Sequence, residues 1–88
     1  MSKDRKRREK DERINRIQQR VQSLTLRERE VLVGVLTGKP NKQIAFEFGV
    51  SEQTVKIHRA HVMEKMEAKS LADLVRLAGR INIYPPKV

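Results

Sequence analysis

Lys56, Ile57 and Ala60 have the types and the spacing of a surface that reads base edges. They share or flank one outer face of the run SEQTVKIHRAHVMEKM, together with Gln53 and Glu64. An ammonium reaches guanine O6 or N7, a branched aliphatic side chain touches a thymine methyl, and alanine lets a helix approach the groove closely. Phosphate contacts are expected around that face. Lys42, Gln53 and Thr54 stand near helix starts, where free backbone N–H groups also favour anions. Arg59, Lys65 and Lys69 add charge, and each of these side chains is equally a solvated surface residue when taken alone. His58 is read as wedged between the core and the DNA backbone, and His61 as plain surface. No third metal ligand stands at a suitable spacing from the two histidines, so neither a metal site nor a cofactor is expected.

The segment that must carry these residues is Asn41 to Met66, NKQIAFEFGVSEQTVKIHRAHVMEKM. Ile44, Ala45 and Phe48 form the apolar side of a short helix. Gly49 then falls where a chain leaving a helix adopts positive φ, and Val50 plugs the turn. Ser51 caps the next helix. Val55, Val62 and Met66 give that helix a buried seam, opposite the face of Lys56 and Ala60. The pattern predicts a helix-turn-helix.

The flanking segments read as its support. Thr25 and Glu28 fit a capping box for a helix whose apolar side is Val31, Leu32, Val35 and Leu36. Gly38 and Pro40 end that helix, and Asn41 is expected to cap the following one. Glu67–Lys69 is a connector, and Ser70 with Asp73 fits a further cap. A last helix is expected from Leu71 to about Ile81, with apolar residues on more than one side. Among Leu71, Leu74, Val75, Leu77, Ala78 and Ile81, one side can close the core, while Val75, with Ala72 and Gly79, is left over. That surplus is read as a homodimer contact, against a merely wider core face. Tyr84-Pro85-Pro86 ends the fold.

Ahead of this unit lies KDRKRREKDERINRIQQRVQS, residues 3–23, with nine basic and four acidic side chains. It has good helix formers and no Gly or Pro. Ile14, Ile17, Val21 and Leu24 make an apolar seam too short for a stable coiled coil alone. Three readings stay open: a solvated, partly frayed helix, a linker helix packed on a partner copy or another domain, or an arm gripping phosphates. The division is therefore a charged linker helix over 1–23, a helix-turn-helix domain over 24–82 with its motif at about 41–66, and a tail over 83–88.

Composition bounds the function. Eighty-eight residues allow one modest core, and only two Phe, one Tyr and no Trp make that core aliphatic. Twenty Lys and Arg against eleven acids leave a net charge of +9, which favours a polyanionic partner, nucleic acid before an acidic membrane surface. Cysteine is absent, excluding disulfides and thiol chemistry. There is no glycine-rich phosphate loop, no HExxH and no signal or membrane-spanning stretch, so a non-enzymatic cytoplasmic protein without membrane contact is expected.

The run LTLREREVLVGVLTGKPNKQIAFEFGVSEQTVKIHRAHVMEKMEAKSLADLVRLA resembles the effector domain of LuxR/NarL-type regulators, in particular the FixJ-like response regulators. LTLREREVL, GKPNKQIA, SEQTVKIH and the closing KM and KS carry the resemblance over about residues 24–78. It implies an all-α, four-helix domain whose third helix reads the major groove and whose fourth forms a dimer face. It also implies base contacts at Lys56, Ile57 and Ala60, and backbone contacts at Asn41, Lys42, Gln53, Thr54, His58 and Lys69. Some relatives carry a basic residue where this chain has Ala60, so their sequence preference does not transfer at that position. The charged segment is similar to the linker helix that follows a receiver domain. That implies a receiver on a longer chain, in a two-component system whose phosphorylation unmasks the DNA face or promotes dimerisation.

The function expected is a sequence-specific, double-stranded DNA-binding transcription regulator acting as a dimer. Two alternatives share the skeleton. One is a promoter-binding module like sigma-factor region 4, held on RNA polymerase. HRAHVMEKM after TVK and the amphipathic helix from Leu71 argue against it. The other is a protein-interaction module built on the same fold, which a basic face with Lys42, Lys56, Arg59, Lys65 and Lys69 disfavours.

Overall fold

A computed structural model describes the backbone of residues 2–81 and the side chains of residues 8–81. Those residues form five helices and no strand: α1 (Ser2–Gln22), α2 (Leu26–Leu36), α3 (Asn41–Phe48), α4 (Glu52–Lys65) and α5 (Leu71–Ala78). Tyr84-Pro85-Pro86 lies outside the described residues.

Local signals set most of the boundaries. Thr25 Oγ1 accepts from the Glu28 N–H at 3.1 Å, and the Thr25 N–H donates to Glu28 Oε1 at 2.9 Å, completing the capping box of α2. Ser51 Oγ accepts from the Thr54 N–H and Ser70 Oγ from the Asp73 N–H, both at 3.1 Å, so α4 and α5 begin at the expected hydroxyls. Gly49 closes α3 at φ 66, and the Val50 N–H returns to the Ala45 carbonyl at 3.0 Å. That bond spans five residues, as in a Schellman ending. Glu67 ends α4 in the same way at φ 55, with the Ala68 N–H on the Met63 carbonyl at 2.9 Å. Nothing in its residue type signals a left-handed conformation.

Two boundaries differ from expectation. Asn41 does not cap α3. Pro40 takes that place with extended φ −69 and ψ 156, and its carbonyl accepts from the Gln43 and Ile44 N–H groups. Asn41 is then the first helical residue, and its side-chain amide turns toward α4 instead. The last helix stops at Ala78 rather than near Ile81. Gly79 is a poor continuing residue. Beyond it the chain tightens into three-residue bonds, Arg80 N–H to Leu77 and Ile81 N–H to Ala78.

The core is aliphatic. Val31, Leu32 and Val35 of α2, Ile44 and Ala45 of α3, Val55 and Val62 of α4, Met66 and Leu74 are buried in one cluster. Gly34 brings α3 close to α2, because a Cβ there would lie 3.0 Å from Ile44 Cδ1. Ile17, Val21 and Leu24 are buried in the same cluster, and Ile14 is half-buried. The seam of the charged helix is thus satisfied within its own chain, which none of the three readings of that segment anticipated.

Candidate nucleic-acid interface

Helix α4 is held by its inner seam against α2 and α3, which fixes its outer face as a rigid surface. Its 14 residues span roughly 21 Å, long enough to lie in a major groove. On the outer face Gln53, Lys56, Ala60 and Glu64 are exposed, and Ile57 is 48% exposed. The Lys56 side chain takes part in no ion pair or hydrogen bond with a described residue and projects freely. Ile57 lies outside the buried core cluster. Thr54 is half-buried, its hydroxyl 2.9 Å from Ser51 Oγ, so it presents the first turn of α4 rather than a free side chain. Lys42, at the start of α3, and Lys69, after α4, are exposed.

Three residues read as phosphate contacts have structural partners. Arg59 is half-buried, and its Nη1 donates to Asn41 Oδ1 at 3.1 Å, tying the middle of α4 to the start of α3. That bond uses one guanidinium N–H and the Asn41 amide oxygen to link the two helices of the motif. Lys65 Nζ lies 2.7 Å from Glu28 Oε1 and 3.5 Å from the Ser23 carbonyl. Its ammonium serves the junction of α4, α2 and the end of α1, instead of standing free.

The Glu28 carboxylate is the centre of that junction and was not singled out as more than a cap residue. It is buried, accepts the Thr25 N–H and Lys65 on Oε1, and has His61 Nδ1 3.4 Å from Oε2. The Lys65 hydrogen bond and then the Thr25 N–H hold its pKa below the ordinary glutamate value, against the opposing effect of burial. Cations also close the neighbouring helix ends. Arg20 donates to the Met66 carbonyl at 3.5 Å and pairs with Glu67 at 3.0 Å, and Arg29 donates to the Val21 carbonyl at 3.3 Å. Positive groups at the C-terminal carbonyls of α1 and α4 complement both the orphan acceptors and the helix dipoles.

His58 is half-buried, with Nδ1 shielded from solvent and without a hydrogen-bond partner. Ligand atoms of Glu28, His58 and His61 lie within 4.8 Å of one another. The sequence offers no third ligand beside the two histidines, but the fold brings one from α2. On α5, Ala72 and Gly79 are exposed and Val75 is 42% exposed, while Leu74 and Ala78 are buried. The leftover strip therefore exists as a surface. Phe46, 88% exposed on α3, was not singled out, although helical periodicity puts it opposite the side of Ile44, Ala45 and Phe48. Phe48 itself is half-buried beneath the Arg27 guanidinium, 4.5 Å from its ring centre.

A capped helix, a glycine turn and a seamed second helix with an exposed outer face together define a helix-turn-helix domain. Residues 22–78 match the family of bacterial regulatory proteins described as the luxR family, and the chain belongs to it. It is 48% identical over 80 residues to nodulation protein W of Bradyrhizobium diazoefficiens, an alignment covering 91% of this chain and 35% of that protein. The chain is also similar to the solution structure of the C-terminal transcriptional activator domain of FixJ from Sinorhizobium meliloti. That match has a TM-score of 0.68 at 50% identity, over 80% of this chain and 89% of that domain. The response regulator StyR matches at a TM-score of 0.82 and 43% identity, over 86% of this chain and 38% of StyR. The chain thus spans about a third of the length of the curated relative and of StyR.

Proposed function

We propose that this domain is a sequence-specific double-stranded DNA-binding transcription regulator in the cytoplasm, with α4 in the major groove. The observation that carries the reading is the division of labour on α4. Its inner seam is consumed by the core, while Lys56, Ile57 and Ala60 stand exposed on one outer face. Lys56, Ile57 and Ala60 make the base contacts. Lys42, Gln53, Thr54 and Lys69 hold the phosphates, with His58 at their edge. Arg59, Asn41 and Lys65 act mainly by positioning α4. The similarity to a transcriptional activator domain and to a response regulator supports this reading, as does the net charge of +9.

The domain acts as the effector of a phosphorylation-controlled response regulator, joined through α1 to a receiver on a longer chain. It pairs through Ala72, Val75 and Gly79, so that two copies occupy half-sites about one helical turn, roughly 10 bp, apart. Selection from random duplexes tests the reading. Enrichment of an inverted repeat supports it; salt-dependent binding without enrichment leaves only a basic helical domain. Val75→Glu is expected to abolish paired occupancy of the repeat while leaving the monomer folded, as read by sedimentation and helical content. Unchanged mass and occupancy would put the dimer face elsewhere. Against the protein-interaction alternative, Ile17, Val21 and Leu24 are buried in the chain's own core and offer no seam to a partner.

A further inference from the structure

The junction of α2 and α4 holds a constellation of which the DNA-binding proposal uses only His58. Glu28 comes from the first turn of α2, and His58 and His61 come from α4, three residues apart on adjoining parts of its surface. Their ligand atoms lie within 4.8 Å of one another. Three separate observations converge there. The Glu28 carboxylate is buried and ionised, and Oε1 takes the cap and Lys65 while Oε2 faces His61. His58 Nδ1 is shielded from solvent and has no hydrogen-bond partner among the described residues, which is uncommon for a buried nitrogen. A cleft of about 340 Å³ lined by Glu28, His61, Glu64 and Lys65 opens beside the cluster and gives an ion and its water a path in.

We propose that Glu28, His58 and His61 form a divalent transition-metal site that staples α4 to α2. Two imidazoles and one carboxylate make the donor set of a borderline cation, Zn2+ before Mg2+ or Ca2+, with water in the fourth position. Zinc bonds of about 2.0–2.1 Å bring tetrahedral ligand atoms to roughly 3.4 Å apart, so the cluster must contract. His61 supplies that movement, since its side chain is 53% exposed. The nearest opposing charge is Lys65. Its side chain is 37% exposed and able to swing into solvent as the ion enters. The site shares only His58 with the DNA-binding proposal, and its test reads metal binding without DNA through His61, which that proposal does not use, so failure of one is distinguishable from failure of the other.

The test uses the tag-free full chain, titrated with Zn2+ by calorimetry and with Co2+ by visible absorption. The chain has two histidines, so the imidazole NMR signals report each ligand directly. The expected result is one ion per chain, a Co2+ band of tetrahedral intensity, and both imidazole signals shifting together. Zn2+ at about a hundredfold excess over its Kd should raise Tm by on the order of 10 °C. His61→Ala should weaken binding at least tenfold and remove that rise, with the metal-free Tm little changed. His58→Gln provides a second break, read by the same Co2+ band. The proposal is overturned if neither imidazole signal moves with the metal, if His61→Ala binds as tightly as the parent chain, or if the ion binds with no defined stoichiometry.

Discussion

Lys56 and Lys65 are the same residue on the same helix, and their surroundings make them different instruments. Lys56 stands on the outer face of α4 with no ion pair or hydrogen bond among the described residues. Lys65, at the other end, reaches inward to the buried Glu28 carboxylate at 2.7 Å. The N-terminal half of α4 is therefore a presenting surface, and its C-terminal end is a clamp. A charged side chain near a binding face contributes recognition only where the fold leaves it unpaired. Where the fold pairs it, the same charge sets helix position.

The clamp should give the largest effect on stability. Glu28→Ala removes two hydrogen bonds to a charged group, the carboxylate half of the capping box and the anchor of Lys65, and should cost about 2–3 kcal/mol. Urea unfolding should show a lower midpoint with an unchanged slope. A loss below about 0.5 kcal/mol would dissolve the contrast between the two ends of α4.

Next in size is the presenting surface. Lys56→Ala should cost roughly 1–3 kcal/mol of affinity for an enriched duplex while leaving the urea midpoint unmoved. Lys65→Ala should do the reverse, lowering stability by about 1 kcal/mol because Glu28 keeps its cap contacts but loses its cation. Affinity per folded molecule should fall little, and equally on every duplex. If Lys65→Ala instead relaxes sequence preference, the lysine swings outward when DNA is present and the division fails.

The smaller effects are titrations. The pKa of Glu28 is lowered in the fold, so its contribution to stability is complete above the ordinary glutamate value. It is lost as pH falls below that value and through the lowered folded pKa. Glu28→Gln should flatten this acid limb of the stability profile, measured from pH 7 downward. An identical limb in both proteins would assign the acid loss to other carboxylates, Asp73 among them, which the Lys69 N–H and Arg76 also hold low. Lys42→Ala should weaken binding to all duplexes alike and reduce the salt slope by about one unit.

Much of this molecule was legible in the order of its residues. The capping box at Thr25 and Glu28, the hydroxyl caps at Ser51 and Ser70 and the glycine turn at Gly49 are local signals, and local signals survive folding. So does the seam of Val55, Val62 and Met66, because helical periodicity alone puts those side chains on one side. What escaped was pairing across distance. Asn41 looked like a cap because Asn often is one. Pro40 took the position through its backbone, and the Asn41 amide found Arg59, 18 positions on. Lys65 looked like a phosphate contact because no sequence pattern joins it to Glu28, 37 positions back. The seam of α1 looked orphaned for the same reason, since only the turn after Gln22 decides that Ile17 and Val21 meet their own domain. Glu67 adopts a conformation its type does not advertise, because the chain must leave α4 there.

The central claim is that the outer face of α4 reads sequence through Lys56. It is tested most directly by measuring Lys56→Ala and the parent chain on an enriched duplex and on a scrambled duplex of the same composition, across a range of salt. The prediction is that the parent discriminates between the two duplexes and that the substitution removes most of that discrimination, with the salt slope changed by at most about one unit. An equal loss on both duplexes, with discrimination intact, would reduce Lys56 to a phosphate contact and contradict the account.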